Sequence, residues 1–404
     1  MLMRCLIAIV IMHVSLMACA FDEAELTTIL AEARQTGGLP GLRATVRLAD
    51  GTTVRAAVGL ADVEAQIPLD HEVGMPGGST GKPFVAALTL LLVEDGLLSL
   101  DDPVKRWLGS EPWFHKLPNA ETMQVRHLLS HSAGLRDYPG RPSFLAKMVW
   151  RVLRQGSAYF EPEELIAFAR ARKPLFSAGG GYKYTDVGYI VLGMVIEKAS
   201  GKQYYALLKK RILEPLMLDG IRAQEQSALP DITPGYQMGV SNLKEDGRMK
   251  LDPRTEWTGG GLVTTPTMLV KFFAALAAGH VVSPESLQSM LRGGWHDPLT
   301  PDWHYGFGLF VNDESGAFSH GGRWAGYRTY VAHYPREGLT IATQTNTDDD
   351  AALSSLVRQI KNAASAALTT ASLSTSTLTT STSTTSTSTT TTSTTTALTA
   401  VREQ

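Results

Sequence analysis

Residues 74–96 read GMPGGSTGKPFVAALTLLLVEDG, and the fold turns on the meaning of the first half of that stretch. Gly77-Gly78-Ser79-Thr80-Gly81 matches G-x-S-x-G, the strand-to-helix turn that exposes a serine at the top of a parallel sheet. Ending in Gly81-Lys82, the stretch also approaches a phosphate-binding loop. Read as Ser79-Thr80-Gly81-Lys82 it is S-x-x-K, a serine with a lysine one helical turn away. The phosphate loop fails first, because G-x-x-x-x-G-K-[ST] needs a glycine where Pro76 stands and a hydroxyl where Pro83 stands. The strand-to-helix turn fails on context. It must leave a buried strand, whereas AQIPLDHEVGMP (65–76) is polar and broken by prolines.

The S-x-x-K reading agrees with the residues on its C-terminal side. FVAALTLLLVEDG (84–96) is apolar on nearly every face, the mark of a helix inside the protein, and Gly96 closes it. Ser79 then starts that helix and Lys82 lies on the same face one turn later. Pro83 is tolerated because first-turn amides have no partner within the helix. Burial lowers the lysine's pKa and the helix N-terminus favours a developing alkoxide, so the pair has the makings of an activated nucleophile. S-x-x-K alone is nonetheless a common tetrapeptide.

A chain of 404 residues with 44% apolar content can bury a large core. A net charge of −2, with charges scattered, offers no basic stripe to neutralise phosphates, which argues against a nucleic-acid partner. MLMRCLIAIVIMHVSLMACA (1–20) has an arginine, an apolar run and small residues, the layout of a secretory signal, so we expect an exported chain in the periplasm, secreted, or held at the envelope. Ala18-Cys19-Ala20 fits a release site, while Leu16-Met17-Ala18-Cys19 resembles a lipobox, with membrane attachment through a lipid on Cys19. Cys5 and Cys19 are the only cysteines, so the body has no disulfides. No later apolar run is long and charge-free enough to span a bilayer.

Residues 23–36 read as a helix, and LRATVRLADGTTVRAAVGLAD (42–62) as a hairpin about a two-residue Asp50-Gly51 turn. From about 100 to 300 the pattern is helical with long loops. YGFGLFV (305–311), GAFSHGG (316–322), GYRTYVAHYP (326–335) and LTIATQTNT (339–347) are four strand-like runs, followed by a helix from about 350 to 366. Strands at both ends with helices between predict an α+β fold: one antiparallel sheet built from both chain ends and flanked by helices, with an inserted, mostly helical region. We expect residues 21–366 to form the folded domain and the Ser/Thr-rich residues 367–404 to be disordered.

GSTGKPFVAALTLLLVEDGLLSLDDPV, VRHLLSHSAGL, YKYTDVGYIVLGMVIEKASGKQY, GGGLVTT and FSHGGRWAGY occur in an order and spacing that resemble the class C β-lactamase and D-alanyl-D-alanine carboxypeptidase superfamily, which also holds esterases and D-aminopeptidases. The likeness covers about residues 25–365. It implies Ser79 as the acylated serine and Lys82 as its activator. Tyr184-Thr185-Asp186 takes the place of Tyr-x-Asn, and His320-Gly321-Gly322 that of Lys-Thr-Gly or His-x-Gly. The oxyanion hole is then the backbone N–H of Ser79 and of Arg323, after Gly322. Two departures bear on chemistry. Asp186, where an amide is usual, favours a protonated Lys82 and makes it a poorer base unless Tyr184 shares the work. His320, where many relatives have lysine, leaves a substrate carboxylate to an imidazole titrating near pH ~6.5, or to Arg323 or Arg328.

Plainer roles exist for several of these residues. Asp186 precedes VGYIVLGMVIEKASG (187–201), an apolar helix closed by Gly201, and would serve as its N-cap. Tyr184 would serve as a packed aromatic. His127 and His131 have metal-ligand spacing but lack the glutamate of H-E-x-x-H, which favours a core or loop pair over a zinc site. Gly259 to Gly261 permit a tight turn into a helix capped by Thr265 and begun by Pro266. The expected function is a serine hydrolase acylated by a small-molecule or peptide amide or ester donor, without metal or cofactor. A non-turnover penicillin-binding or wall-sensing module of the same fold is the alternative, and a metallohydrolase using His127 and His131 a third.

Overall fold

The structure is a computed structural model describing residues 21–170, 173–349 and 352–382. The chain divides into two compact units, Phe21–Ala364 and a second formed by Met1–Ala20 with Ser365–Gln404; of the second, only the helical stretch 365–382 is described. Cys5 and Cys19 lie outside the described residues, among which no helix is long and apolar enough to cross a membrane.

Helix α1 (Glu23–Gly37) starts at Asp22, whose carboxylate accepts the Glu25 amide at 2.9 Å, an N-cap satisfying one of the unpaired first-turn donors. Strands β1 (Gly41–Arg47) and β2 (Thr53–Asp62) come after it. Their hairpin turn is longer than the two residues expected: Arg47 and Thr53 are the last pair, and Gly51, at φ +91°, donates to the Leu48 carbonyl. β3 (Ile67–Pro68) ends that edge, and β4 (Met75–Pro76) leads toward α2 (Lys82–Glu94). Helices α3 (Lys105–Leu108), α4 (Val125–Leu129), α5 (Pro142–Gln155), α6 (Pro162–Ala167), α7 (Asp186–Ser200) and α8 (Tyr204–Leu208) come next. Short strands β5 (Arg222–Ala223), β6 (Tyr236–Gln237), β7 (Val240–Ser241) and β8 (Leu262–Thr264) precede α9 (Pro266–Ala277) and α10 (Pro284–Arg292). The chain returns as β9 (Trp303–Tyr305), β10 (Phe310–Asn312), β11 (Phe318–Trp324), β12 (Tyr327–Tyr334) and β13 (Leu339–Thr345), then α11 (Leu353–Thr382).

The principal sheet has eight antiparallel strands in the order β3-β2-β1-β13-β12-β11-β10-β9. Strands from opposite chain ends meet at its centre, where Thr45 of β1 pairs with Ala342 of β13. This is the α+β architecture expected. Helix α9 lies against β1, β12 and β13, and α1 against β1 and β2. Among the helices α7 is the hub, packed on α2, α3, α4 and α6. Residues 83–92 of α2 and nearly all of 187–196 of α7 are buried, as helices apolar on every face must be. Phe84 of α2 stacks on Phe272 of α9, which fixes α2 between the sheet's covering helix and the helical region.

Two further expectations change. YGFGLFV is not one strand: the chain turns between β9 and β10 through Gly308, at φ +77°, where a side chain would strike Ala86 of α2. The polar stretch 65–76 is held against the sheet by Arg43, fully buried on β1, which donates to the carbonyls of Asp70 (3.0 Å) and Val73 (2.7 Å) and to Gln344 (2.7 Å). Finally, α11 continues to Thr382 where disorder was expected from 367. The tract contains no glycine or proline to stop a helix once started; residues 383–404 lie outside the described residues.

Candidate active site

Ser79 sits in a 3₁₀ turn, Gly78–Gly81, that runs into α2 at Lys82. The turn presses against β11. A Cβ on Gly78, at φ +57°, would lie 2.5 Å from the Arg323 nitrogen, and one on Gly322 would lie 1.9 Å from the Gly77 carbonyl oxygen and 3.2 Å from the Ser79 nitrogen. Only paired glycines allow this approach. It brings the backbone amides of Ser79 and Arg323 together, as an oxyanion hole requires.

The Lys82 side chain is fully buried. Its Nζ donates to Ser79 Oγ at 2.9 Å, to Asp186 Oδ1 at 2.6 Å and to the Gly259 carbonyl, and lies 5.0 Å from the centre of the Tyr184 ring. The glycine run therefore does more than turn the chain: Gly259 supplies an acceptor. Gly260, at φ +150°, packs on the Gly78 carbonyl with no room for a Cβ. As expected, Thr265 caps α9 and Pro266 begins it, although β8 intervenes.

Burial alone would strip the proton from Lys82, but the Asp186 carboxylate, with Tyr184 beside it, outweighs that and raises its pKa. Of the two opposing effects the sequence offered, the Asp186 charge prevails over burial: Lys82 is an ammonium with every proton engaged. The Tyr184 hydroxyl is buried without a hydrogen-bond partner. Burial lifts its pKa to about 12, although the Lys82 charge opposes the rise.

Asp186 is the first residue of α7, not its cap. Thr185 holds the cap position without using its side chain, and Asp137 accepts the Asp186 amide at 2.9 Å and the Val187 amide at 3.4 Å instead. Asp186 is thereby free to turn its carboxylate on Lys82. Asp137 is partly buried, and desolvation together with the Asp186 charge raises its pKa. Glu256, fully buried beside the glycine run, is pushed up to about 8 by desolvation, with Asp186 adding and Lys82 opposing. Three carboxyl groups thus surround one ammonium. Asp137 and Glu256 escape a reading by motif; an isolated acid beside a loop glycine or tyrosine is their only local signal.

His320 is buried, and desolvation, then the Lys82 charge, depress its pKa to about 3. Its Nδ1 lies 2.7 Å from the Gly321 carbonyl, so it carries the proton, and its Nε2 accepts from the Tyr305 hydroxyl at 3.0 Å. His320 is neutral throughout the physiological range and is not the cation expected to read a carboxylate. The cleft before Ser79, about 740 Å³, is instead bordered by three guanidinium groups, Arg323, Arg328 and Arg358, together with Tyr184, Trp303 and His320. Arg323 lies 3.5 Å from Asp348, Arg328 donates to the Asp348 carbonyl, and Arg358 donates to Ser355.

His127 and His131 do not meet over a metal. His131 Nδ1 accepts the Thr185 amide, and its ring packs among Tyr184, Tyr189 and Tyr305; His127 Nδ1 accepts the Gln124 amide.

The chain is 28% identical to penicillin-binding protein 4* of Bacillus subtilis (strain 168), over 76% of this chain and 68% of that protein. It is 26% identical to the esterase EstB of Burkholderia gladioli, over 85% and 95%. A solved D-stereospecific amidohydrolase from Streptomyces sp. superposes with a TM-score of 0.72 at 26% identity, covering 83% of this chain and 98% of that one. The profile of the Beta-lactamase family matches residues 26–365, and with its antiparallel sheet, its S-x-x-K turn against β11 and its Tyr184 and Asp186 about Lys82, the chain belongs to that family.

Proposed function

We propose that the protein is a serine hydrolase in which Ser79 forms an acyl-enzyme with a small amide or ester donor. The observation that carries this is a single nitrogen, Lys82 Nζ, standing 2.9 Å from the Ser79 hydroxyl and 2.6 Å from a carboxylate, beside an open cleft. An ammonium cannot accept a proton until it has passed one on. As Ser79 Oγ bonds to the carbonyl carbon, its proton moves to Nζ while an Nζ proton moves to Asp186 Oδ1. The carbonyl oxygen becomes an oxyanion facing the amides of Ser79 and Arg323. Tyr184, neutral at pH 7, protonates the leaving amine or alcohol as its bond to carbon breaks. Lys82 then returns a proton to Tyr184, and Asp186 returns one to Lys82. Water attacks the acyl-enzyme by the same path, and Ser79 leaves with its proton restored. His320 and Gly322 shape the cleft floor, and the arginines favour donors that carry a carboxylate.

The names of the relatives, an esterase, a D-stereospecific amidohydrolase and a penicillin-binding protein, support short esters, D-configured amides and β-lactams as the donors to try. The fully engaged ammonium favours slow deacylation of β-lactams, the non-turnover reading. Intact-mass measurement during incubation with p-nitrophenyl butyrate and with benzylpenicillin separates the two: turnover without accumulation marks a hydrolase, and a lasting adduct marks a slow acylator. Either signal surviving in Ser79→Ala would sink the acyl-enzyme. We further propose, from residues 1–20, that the protein is exported, either released after Ala20 or held by a lipid on Cys19; palmitate labelling that disappears in Cys19→Ser would support the lipid, and a mature N-terminus at Phe21 would refute it.

A further inference from the structure

A second cluster lies on the opposite face of β9. The bridge between Trp295 and Tyr305 sets His296 beside His304, and the pairing of His304 with Val311 sets Asp313 diagonally across from it. Three neighbouring extended segments thus bring together two imidazoles and a carboxylate from separate stretches of the chain. One ligand atom from each lies within 4.8 Å of the others.

The hydrogen bonds fix which atoms these are. His304 Nε2 lies 2.7 Å from the Leu291 carbonyl and His296 Nε2 lies 3.5 Å from that of Arg292. Carbonyl oxygens only accept, so both Nε2 atoms carry protons. In the neutral rings both Nδ1 atoms are then lone pairs, and both face Asp313. His304 Nδ1 is 2.9 Å from Oδ1 and 3.0 Å from Oδ2, and His296 Nδ1 is 3.7 Å from Oδ2. Acceptors facing acceptors repel unless a proton or a cation lies between them. A backbone carbonyl orienting each ring is also how metal-bound histidines are held, and ligand atoms on a tetrahedral zinc ion stand about 3.3 Å apart. His304 is 1% exposed, whereas His296 is 53% and Asp313 34% exposed, so the site has a rigid floor and an entrance from solvent.

We propose that His296, His304 and Asp313 bind one first-row divalent cation, a ligand set suited to Zn²⁺ and its neighbours rather than to Ca²⁺ or Mg²⁺. The ion ties the segment after α10 to the β9–β10 edge. It does not touch the reacting atoms, because Trp303, at the cleft, and Tyr305, bonded to His320, alternate with His304 along the strand. The test is calorimetric titration of Zn²⁺ into chelator-stripped full-length protein, with Co²⁺ absorption reporting coordination and Tm reporting stabilisation. We expect one saturable site in the wild type, a Tm that rises with Zn²⁺, and affinity lower by about tenfold or more in His296→Ala and in Asp313→Asn. His296 is exposed, so the metal-free Tm and ester turnover of its variant should match the wild type. Wild-type protein with no saturable micromolar site, or two variants that bind as the wild type does, would overturn the assignment.

Discussion

Asp186→Asn tests the proton path most directly, because the residue acts on Lys82 across a known gap. At 2.6 Å and an effective dielectric of 20, the Coulomb attraction is about 6 kcal/mol, or between about 4 and 5 units of lysine pKa. Without that charge, burial of Lys82 loses its main opponent and the ammonium's pKa falls toward the assay range. The wild-type enzyme passes the Ser79 proton through a charged pair, so its kcat/KM should persist well below pH 7. The variant has no carboxylate to receive a proton and must wait for neutral Lys82, so its kcat/KM should climb with pH. Wild type divided by variant is therefore expected to be large at pH 5 to 6 and to approach unity near pH 9. The assay is p-nitrophenyl butyrate hydrolysis from pH 5 to 9, with buffer hydrolysis subtracted and circular dichroism confirming the fold at each pH. Parallel profiles for the two proteins would show that Asp186 does not govern the protonation of Lys82. A variant inactive even at pH 9 would show that Asp186 is needed for more than its charge.

Gly322→Ala should lower kcat/KM by about 10² to 10³, since its Cβ would force the β11 backbone off Gly77 and open the oxyanion hole; near-normal turnover would place the hole elsewhere. Glu256→Gln should change the pH dependence of stability. Its folded pKa, about 8 against an ordinary 4.5, means the folded state keeps the proton longer, so wild-type stability falls as pH rises from about 4.5 to 8 while the variant is spared. Urea unfolding should find the variant more stable by about 4 kcal/mol at pH 8 and nearly equal at pH 4.5; equal slopes would mean Glu256 is not held protonated. Arg358→Ala should reduce the preference for a carboxylate-bearing ester over its neutral analogue by about two- to fivefold, as for an exposed ion pair. Because arginine stays charged and His320 stays neutral, the wild-type preference should be flat from pH 5 to 8, and a decline across pH 6 to 7 would return the role to His320.

Ser79 and Lys82 were legible as a pair because helix geometry alone puts residues three apart on one face. The all-round apolar stretches of α2 and α7, and the strand-like runs at both chain ends, were enough to place a helical region inside a sheet built from the termini. The β9–β10 turn was not legible. Gly306 and Gly308 are required there because α2 and α10 stand against them and leave no room for a Cβ, which only the packed structure reveals. Nor was the tail's helix: a tract without glycine or proline says what does not stop a helix, and nothing about where it ends.

Which groups carry charge was decided by the tertiary structure. The sequence brought Asp186 under suspicion but offered two roles for it, and Asp137, 49 residues away, settled the matter by taking over the cap of α7. For Lys82 the sequence set burial against the Asp186 charge without deciding between them, and a 2.6 Å contact between residues 104 apart decides for the proton. His320 was expected to titrate near neutrality, and burial between Tyr305 and the Gly321 carbonyl removes it from that range. Spacing along a chain determines local geometry because the backbone's repeat is fixed. A side chain's proton affinity depends on desolvation and on fields falling off over a few ångströms, and those neighbours are assembled only when distant segments pack.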